Sequence, residues 1–553
     1  MKNLYIYFIA IALLLSCKSE EKEVTKVENK PQETPFVWEG ANLYFLLTDR
    51  FNNGDTSNDI NFDRTRETGL LRGFEGGDIK GITQKVKEGY FTDLGINAIW
   101  MTPIVEQIHG GTDEGTGVTY GFHGYWTKDW TKIDPNYGTK EDLHELVTEA
   151  HKRGIRIVLD AVINHTGPVT EKDPVWPDSW VRTSPQCEYS NYENTITCTL
   201  VRNLPDIKTE SNEEVDLPPQ LVEKWKAEGR YEQEVAELDA FFERTGHPRA
   251  PRFYIMKWLT DYITEFGIDG YRCDTVKHTE EFVWQEFKTE CDAAFQRYKS
   301  DNPEKALDDN DFYIVGEVYN YGISGGKYFN FGDKQVNYFN DMFTSQINFE
   351  FKWNAKQMSL IDLFARYDDI LQSDLKGYGV LNYLSSHDDG SPFDKDRNLP
   401  KQAATILLLA PGTSQVYYGD EVARSLNIEG TQGDATLRSV MNWDDVVTKK
   451  EVLSHWQKLG QFRNNHPAVG AGIHEVISKL PYTFSRIYTK GDYQDKVLVA
   501  FVDPDSENEI DVSSVFTDGS QLFDAYSNQE VTVKDGTVSL KTGSEIVLLE
   551  FKS

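Results

Sequence analysis

From Asn42 onward the chain alternates short apolar runs with amphipathic stretches. NLYFLLTDRF, INAIWMTPI, IRIVLDAVINH, IDGYRCD, DFYIVGEV, GYGVLNYLSSHD and TSQVYYGDE each read as a strand that is apolar along its length and polar at its end. Between several of them lie segments such as Lys140 to Arg153, where Leu143, Leu146, Val147 and Ala150 recur at helical spacing. Strands without polar alternation are buried on both faces, so helices must cover both sides and the sheet must be parallel. This many strand-helix units predicts a closed α/β architecture, a (β/α)8 TIM barrel, more than an open sheet. The polar strand ends then mark the face on which such barrels build their sites.

Two intervals break the rhythm. Residues 166–250 hold two cysteines, several prolines and a charged helical run over Leu221 to Arg244. An insertion of this length after the third strand predicts a small subdomain on the barrel rim, walling one side of the cleft. Residues 467–553 turn to Val, Thr, Ile and Leu in alternating runs, including KVLVAFV, EVTVKDGTVSL and SEIVLLEF, which predicts an antiparallel β-sandwich. The barrel is thereby expected in two parts, 36–165 and 251–466. A period of 20 to 50 residues, the mark of repeat architectures, is not evident.

Charge narrows the range of functions. Lys and Arg number 57 against 89 Asp and Glu, a formal charge of -32, which opposes any electrostatic grip on nucleic acid or anionic lipid. A neutral substrate or bound cations suit this balance better. The 28 Tyr and 12 Trp supply flat amphipathic rings suited to sugar faces, although most must serve ordinary packing.

At the N-terminus, Lys2, the apolar run Leu4 to Leu15 and then Ser16 and Cys17 have the layout of an export signal too short to span a bilayer. LLLSC, which closes the signal segment 1–17, resembles the bacterial lipoprotein signal, and this implies cleavage before Cys17, lipidation of that cysteine as the first residue of the mature chain, and a membrane anchor. Residues 18–35 are charged, Pro-containing and poor in apolar side chains, as a flexible tether requires. Its opening KSEEKE resembles the acidic export signal of Bacteroidota lipoproteins, implying an outer-membrane lipoprotein at the cell surface, with the periplasmic face as the alternative. Export to an oxidising compartment makes Cys187 and Cys198, eleven apart in a polar stretch, a candidate disulfide; Cys273 and Cys291 read as buried thiols.

The strand ends gather one set of side chains: Asp160, Asn164 and His165; Arg272 and Asp274; Glu317; His387 and Asp388. Arg272 and Asp274, two apart on a strand, face the same way, so the guanidinium can hold the carboxylate ionised. A structural ion pair would look the same. Several carboxylates at one barrel mouth are a poor design for stability, however, because like charges repel. Two carboxyl groups about 5 Å apart can act as nucleophile and as acid then base in glycoside cleavage with retention.

These motifs resemble the alpha-amylase family, glycoside hydrolase family thirteen, from about Asn42 to the C-terminus. DAVINH, GYRCDTVKH, VGEV and SSHD match its four regions, and LPDI, Leu204 to Ile207, matches a further signature in the insert. The resemblance implies Asp274 as nucleophile, beside Arg272, Glu317 as acid/base, and Asp388 as transition-state stabiliser with His387. In YGFHGYW it implies His123 and Tyr125, with His165, at the subsite of the attacked sugar. Ser386 departs from the family's usual Asn, which puts one supporting hydrogen bond in question.

The resemblance also implies calcium, held by Asn164, Asp206 and the backbone of His278. Asn53, Asp55, Asn58, Asp59, Gly76 and Asp78 resemble the extra calcium site of cyclodextrin-forming relatives, and read equally as an Asx-rich turn. The implied activity is cleavage of internal alpha-1,4-glucosidic bonds in starch, glycogen or maltodextrins. The alternatives are a neopullulanase or cyclomaltodextrinase, or a transglycosylating relative. A non-catalytic starch-binding lipoprotein, working beside glucan-uptake proteins, would not need Asp274, Glu317 and Asp388 together.

Overall fold

The computed structural model describes residues 34–113 and 115–552. The expected signal, Cys17 and all but the end of the tether lie outside them. Eight strands close a parallel barrel in chain order: β1 (Asn42–Leu46), β2 (Ala98–Met101), β3 (Arg156–Ala161), β4 (Gly270–Cys273), β5 (Tyr313–Gly316), β6 (Ser345–Asn348), β7 (Gly379–Tyr383) and β8 (Thr413–Tyr417). Every residue of these strands is buried, which is why their sequences do not alternate. Register is set across β3 and β4 by Asp160 opposite Arg272, and across β4 and β5 by Cys273 opposite Gly316.

Strand β6 has no apolar signature. Its sequence SQIN carries one large apolar residue, yet all four positions are buried. Gly316 on β5 makes this feasible, because a Cβ there would lie 2.6 Å from Gln346 Oε1.

The helices follow the local chemistry. Thr139 caps Lys140–His151, accepting from Asp142 N while the Asp142 carboxylate accepts from Thr139 N. The helix after the insert starts at Pro251, whose missing N–H costs nothing in the first turn, and runs to Phe266. It ends at Gly267, φ 73°, where a Cβ would also strike the Tyr298 ring at 2.0 Å. The charged run at Leu221 to Arg244 is two helices, Pro219–Ala227 and Tyr231–Thr245, not one. Gly229, φ 73°, breaks it in the left-handed region.

After the barrel, a six-stranded antiparallel sheet has the order β9 (Ile473–Lys479), β10 (Tyr482–Lys490), β11 (Tyr493–Phe501), β16 (Ile546–Phe551), β13 (Gln521–Asp524) and β14 (Gln529–Thr532). Strands β12 (Asn508–Asp511) and β15 (Thr537–Leu540) pair separately. Period-two alternation gives the large sheet two apolar faces. Phe484, Val497, Val499 and Leu548 join the barrel's core, whereas Leu498, Ala500, Val547 and Leu549 pack with Ile510, Val538 and Leu540 of the smaller sheet and with Val512 just beyond it.

Candidate active site

Arg272 organises the barrel mouth. Its side chain is 1% exposed and meets three carboxylates. Nη1 donates to Asp160 Oδ1 at 2.9 Å and to Asp274 Oδ1 at 2.7 Å, and Nη2 lies 3.0 Å from Glu317 Oε2. The register already requires this. Asp160 and Arg272 are paired across β3 and β4, and Asp274 follows two residues later on the same face. Asp160 also accepts from Tyr125 Oη at 2.9 Å and Trp100 Nε1 at 3.2 Å, so it anchors the arginine and a ring of the cleft together.

The backbone seats Asp274 and Glu317 beside one another. Glu317 N donates to Cys273 O at 2.9 Å, and Val276 N donates back to Glu317 O at 3.1 Å. Thr275 sits at φ 50°, a conformation uncommon without glycine, and its N–H donates to Glu317 Oε2 at 2.9 Å.

The environments then separate the carboxyl groups. Burial pushes Glu317 up to about 8, with Asp274 and Asp388 adding to the rise against the pull of Arg272. Burial likewise lifts Asp160 to about 7 despite Arg272. For Asp388 burial also acts upward, but His387, Arg272, Arg438 and the Ser386 hydroxyl together hold it below the ordinary value. Its side chain is 34% exposed, and Ser386 Oγ donates to its Oδ1 at 3.2 Å. The shorter residue therefore still supplies a hydrogen bond to this carboxylate.

A cleft of about 570 Å³ opens over these groups, lined among others by His123, Tyr125, His165, His387, Asp274, Glu317 and Asp388. Burial lowers all three histidines, His387 to about 4, so they meet a ligand as neutral imidazoles. The Tyr125 and His387 rings lie 5.4 Å apart, nearly parallel. Tyr125 N donates to His123 Nδ1 at 3.1 Å, and His165 Nε2 to Tyr125 O at 3.2 Å. Sequence reasoning missed Arg72, Asp434 and Arg438. Asp434 bridges Arg72 at 3.0 Å and Arg438 at 2.6 Å, and Arg438 Nε holds the His387 carbonyl at 2.9 Å. Asp434 and Arg438 are four apart on one short segment, but Arg72 lies 362 residues before Asp434, so nothing local in the sequence announces the cluster.

The residues expected to hold calcium fall at two places. Asn164, Asp206 and His278 meet where β3, the insert and the segment after Asp274 converge: Ile207 N donates to Asn164 O at 2.8 Å, and Asn164 Oδ1 accepts from Thr279 Oγ1 at 3.3 Å. Asp206 is 1% exposed; Oδ2 pairs with Arg182 at 2.9 Å, while Oδ1 has no partner. Burial, with Glu280 and Glu210 nearby, raises it well above the usual carboxylate range, and Glu280 Oε1 is also unpartnered. Buried oxygens without donors, in excess over one arginine, fit a cation. Among the described residues no three His, Cys, Asp or Glu side chains converge as a metal cage, so such an ion would rely on the Asn164 amide oxygen and backbone carbonyls.

The other six residues come from two segments, 53–59 and 76–78, that meet at Asp78. Asp78 caps helix Ile79–Glu88 and accepts from Gly54 N, Asp55 N and Gly81 N, while Asp55 pairs with Lys80 at 2.5 Å. A Cβ on Gly76 would meet Asn53 Nδ2 at 2.4 Å and Asp59 Oδ1 at 2.7 Å, so these three pack together. Asn58 Oδ1 is buried without a partner. Cys187 and Cys198 form a disulfide, and Cys273 and Cys291 are buried thiols.

Comparison with known proteins places this geometry in context. The sequence profile described as Alpha amylase, catalytic domain, matches residues 45–469. The periplasmic alpha-amylase of Escherichia coli (strain K12) is 36% identical over 531 residues, spanning 84% of this chain and 72% of that protein. A cyclomaltodextrinase from Bacillus sp is 27% identical over 484 residues, spanning 84% and 73%. Among solved structures, an Anoxybacillus alpha-amylase superposes with a TM-score of 0.64 at 24% identity, covering 94% of this chain and 100% of its own.

Proposed function

The chain belongs to the alpha-amylase family, and from that premise we propose that it hydrolyses internal alpha-1,4-glucosidic bonds of starch, glycogen or maltodextrins with net retention. The observation that carries this reading is the division of labour around Arg272. One guanidinium nitrogen bonds Asp274 and the other meets Glu317, whose carboxyl is held protonated by burial. Asp274 attacks the anomeric carbon while Glu317 gives its proton to the departing glycosidic oxygen. Water then enters, Glu317 takes a proton from it, and the ester to Asp274 is cleaved. Asp388, held ionised, stabilises positive charge on the sugar in both steps. Tyr125 offers a ring face to the pyranose, and neutral His123, His165 and His387 offer hydrogen bonds to its hydroxyls.

Product analysis on amylose, pullulan and cyclodextrin tests the reading, with the anomer of the first product followed by NMR. Short linear maltooligosaccharides of alpha configuration are expected. Panose from pullulan, or cyclodextrin opening faster than amylose cleavage, would replace it with a neopullulanase or cyclomaltodextrinase. Higher identity to an amylase than to a cyclomaltodextrinase favours the first.

Calcium at Asn164, Asp206 and the His278 carbonyl would tie the insert to the segment that carries Asp274. The unpartnered Asp206 oxygen supports this site. A chelator should lower Tm and calcium restore it, with the titration reading one ion or, if the six residues around Asp78 also bind, two. Among the described residues no helix is long and apolar enough to cross a membrane. We read Cys17 as lipidated and the chain as anchored in the outer membrane, facing the cell surface. Loss of fatty-acid labelling in Cys17→Ala, and digestion of the enzyme by protease on intact cells, are the expected results.

A further inference from the structure

The insert contributes more to the cleft than a wall. Cys187–Cys198 closes a loop that is tied again by Cys187 N to Thr199 O at 2.9 Å and by Tyr189 Oη to Leu200 O at 2.6 Å. The same loop is fastened to the nucleophile's segment, because Thr195 O accepts from His278 Nδ1 at 2.9 Å. Within it Tyr189 sits at φ 56°, in the left-handed region where a bulky side chain is strained. Strain of this kind persists only where the surroundings over-determine it, and it clusters at ligand sites. Here the disulfide and the Leu200 bond supply that constraint.

What the strain achieves is a tyrosine in the cleft. Tyr189 lines the cavity above Asp274 and Glu317 and is 50% exposed, with its ring edge to face against His278 at 5.6 Å. Tyr319, two residues beyond Glu317, lines the same cavity and is 48% exposed. Lys277 Nζ lies 5.1 Å from its ring. Exposed aromatic rings in a cleft are what a pyranose face packs against, and the Tyr189 ring is also fixed through its hydroxyl. The attacked sugar already has Tyr125 and three histidines. Tyr189 and Tyr319 flank the segment that follows the nucleophile and the proton donor, where the departing part of the chain must lie.

We propose that Tyr189, held in place by the Cys187–Cys198 loop, is a specificity-determining platform that stacks on a glucose unit on the leaving-group side of the scissile bond. This deepens the glycosidase reading and rests on it. The disulfide then acts as a positioning device: without it the loop can relax Tyr189 out of the left-handed region and withdraw the platform.

The test compares two substrates on the full chain. Maltopentaose needs sugar on the leaving side, whereas an aryl maltoside with an activated nitrophenol leaving group does not. Tyr189→Ala is expected to lower kcat/KM for maltopentaose about three- to tenfold, as loss of one aromatic contact implies. The aryl maltoside should change less than about twofold. Transfer to added maltose as acceptor should fall in parallel. Tyr189→Phe should retain more of the maltopentaose activity than Tyr189→Ala, because the ring and the disulfide remain although the Leu200 bond is lost. The paired Cys187→Ser, Cys198→Ser variant should reproduce the Tyr189→Ala pattern without loss of the aryl activity. Equal losses on both substrates, or no change on either, overturns the proposal. If the unmodified chain cleaves neither substrate, it is the glycosidase reading that fails.

Discussion

Replacing Glu317 by Gln removes the proton while keeping the shape, and the structure fixes what should follow. Burial, with Asp274 and Asp388, lifts Glu317 from 4.5 to about 8. At pH 7 such a group is protonated in about nine molecules of ten, against roughly three in a thousand at the ordinary value, a factor of about 300 in competent enzyme. Glu317→Gln should therefore lower kcat/KM on amylose by about 10²- to 10⁴-fold, the usual span for a general acid. With maltosyl fluoride, whose leaving group needs no proton, kcat/KM should fall less than about tenfold, since it reports only steps through formation of the glycosyl-enzyme. Azide should then raise kcat, because it attacks that intermediate without a base. In the unmodified enzyme kcat/KM on amylose should decline as pH rises through about 8, and the variant should lack that limb on the fluoride.

Stability should move the opposite way. The raised carboxyl binds its proton more tightly when folded, so between about 4.5 and 8 the unfolded chain releases more protons and stability falls as pH rises. By pH 7 the penalty is about 3 kcal/mol, at 1.36 kcal/mol per unit between 4.5 and 7. Glu317→Gln should therefore raise Tm at pH 7 and gain little at pH 4. Equal losses on both substrates, together with a Tm difference that ignores pH, would refute this account of Glu317.

Three further outcomes are expected. Ser386→Ala removes the 3.2 Å bond to Asp388; the acid limb of the pH profile should move to higher pH, because the ionised form loses a donor, with kcat down about tenfold or less. Arg272→Met strips the buried cation from Asp160, Asp274 and Glu317 and should cost about 3–5 kcal/mol in denaturant titration. His466 lies between Asp495 at 2.7 Å and Glu550 at 2.5 Å, joining the last long barrel helix to the C-terminal sheet, and although burial acts downward these two acids raise it to about 9. Its contribution, up to about 3 kcal/mol, is complete below about 6.5 and disappears as pH rises through 9, so the Tm deficit of His466→Gln should shrink between pH 6 and pH 10.

The sequence by itself determined the barrel and its working face. Strands buried on both sides need unbroken apolar residues, and this signal is local, so seven of the eight strands could be read directly. Strand β6 could not. SQIN is polar, and Gly316 on the neighbouring strand leaves the room in which Gln346 is buried. The charges were legible as residue types at strand ends, since polar side chains after an apolar run are visible without any partner. What tertiary structure alone decided is their relation. One guanidinium shared by Asp160, Asp274 and Glu317 is a fact of register between strands far apart in the chain. The rise of Glu317 to about 8 while Asp388 is held low depends on burial and on groups brought in from other parts of the chain, His387, Arg272 and Arg438 among them. The Arg72–Asp434–Arg438 bridge and the strained Tyr189 belong to the same class. Coulomb energy and desolvation depend on distances through space, and a sequence records distance only along the chain.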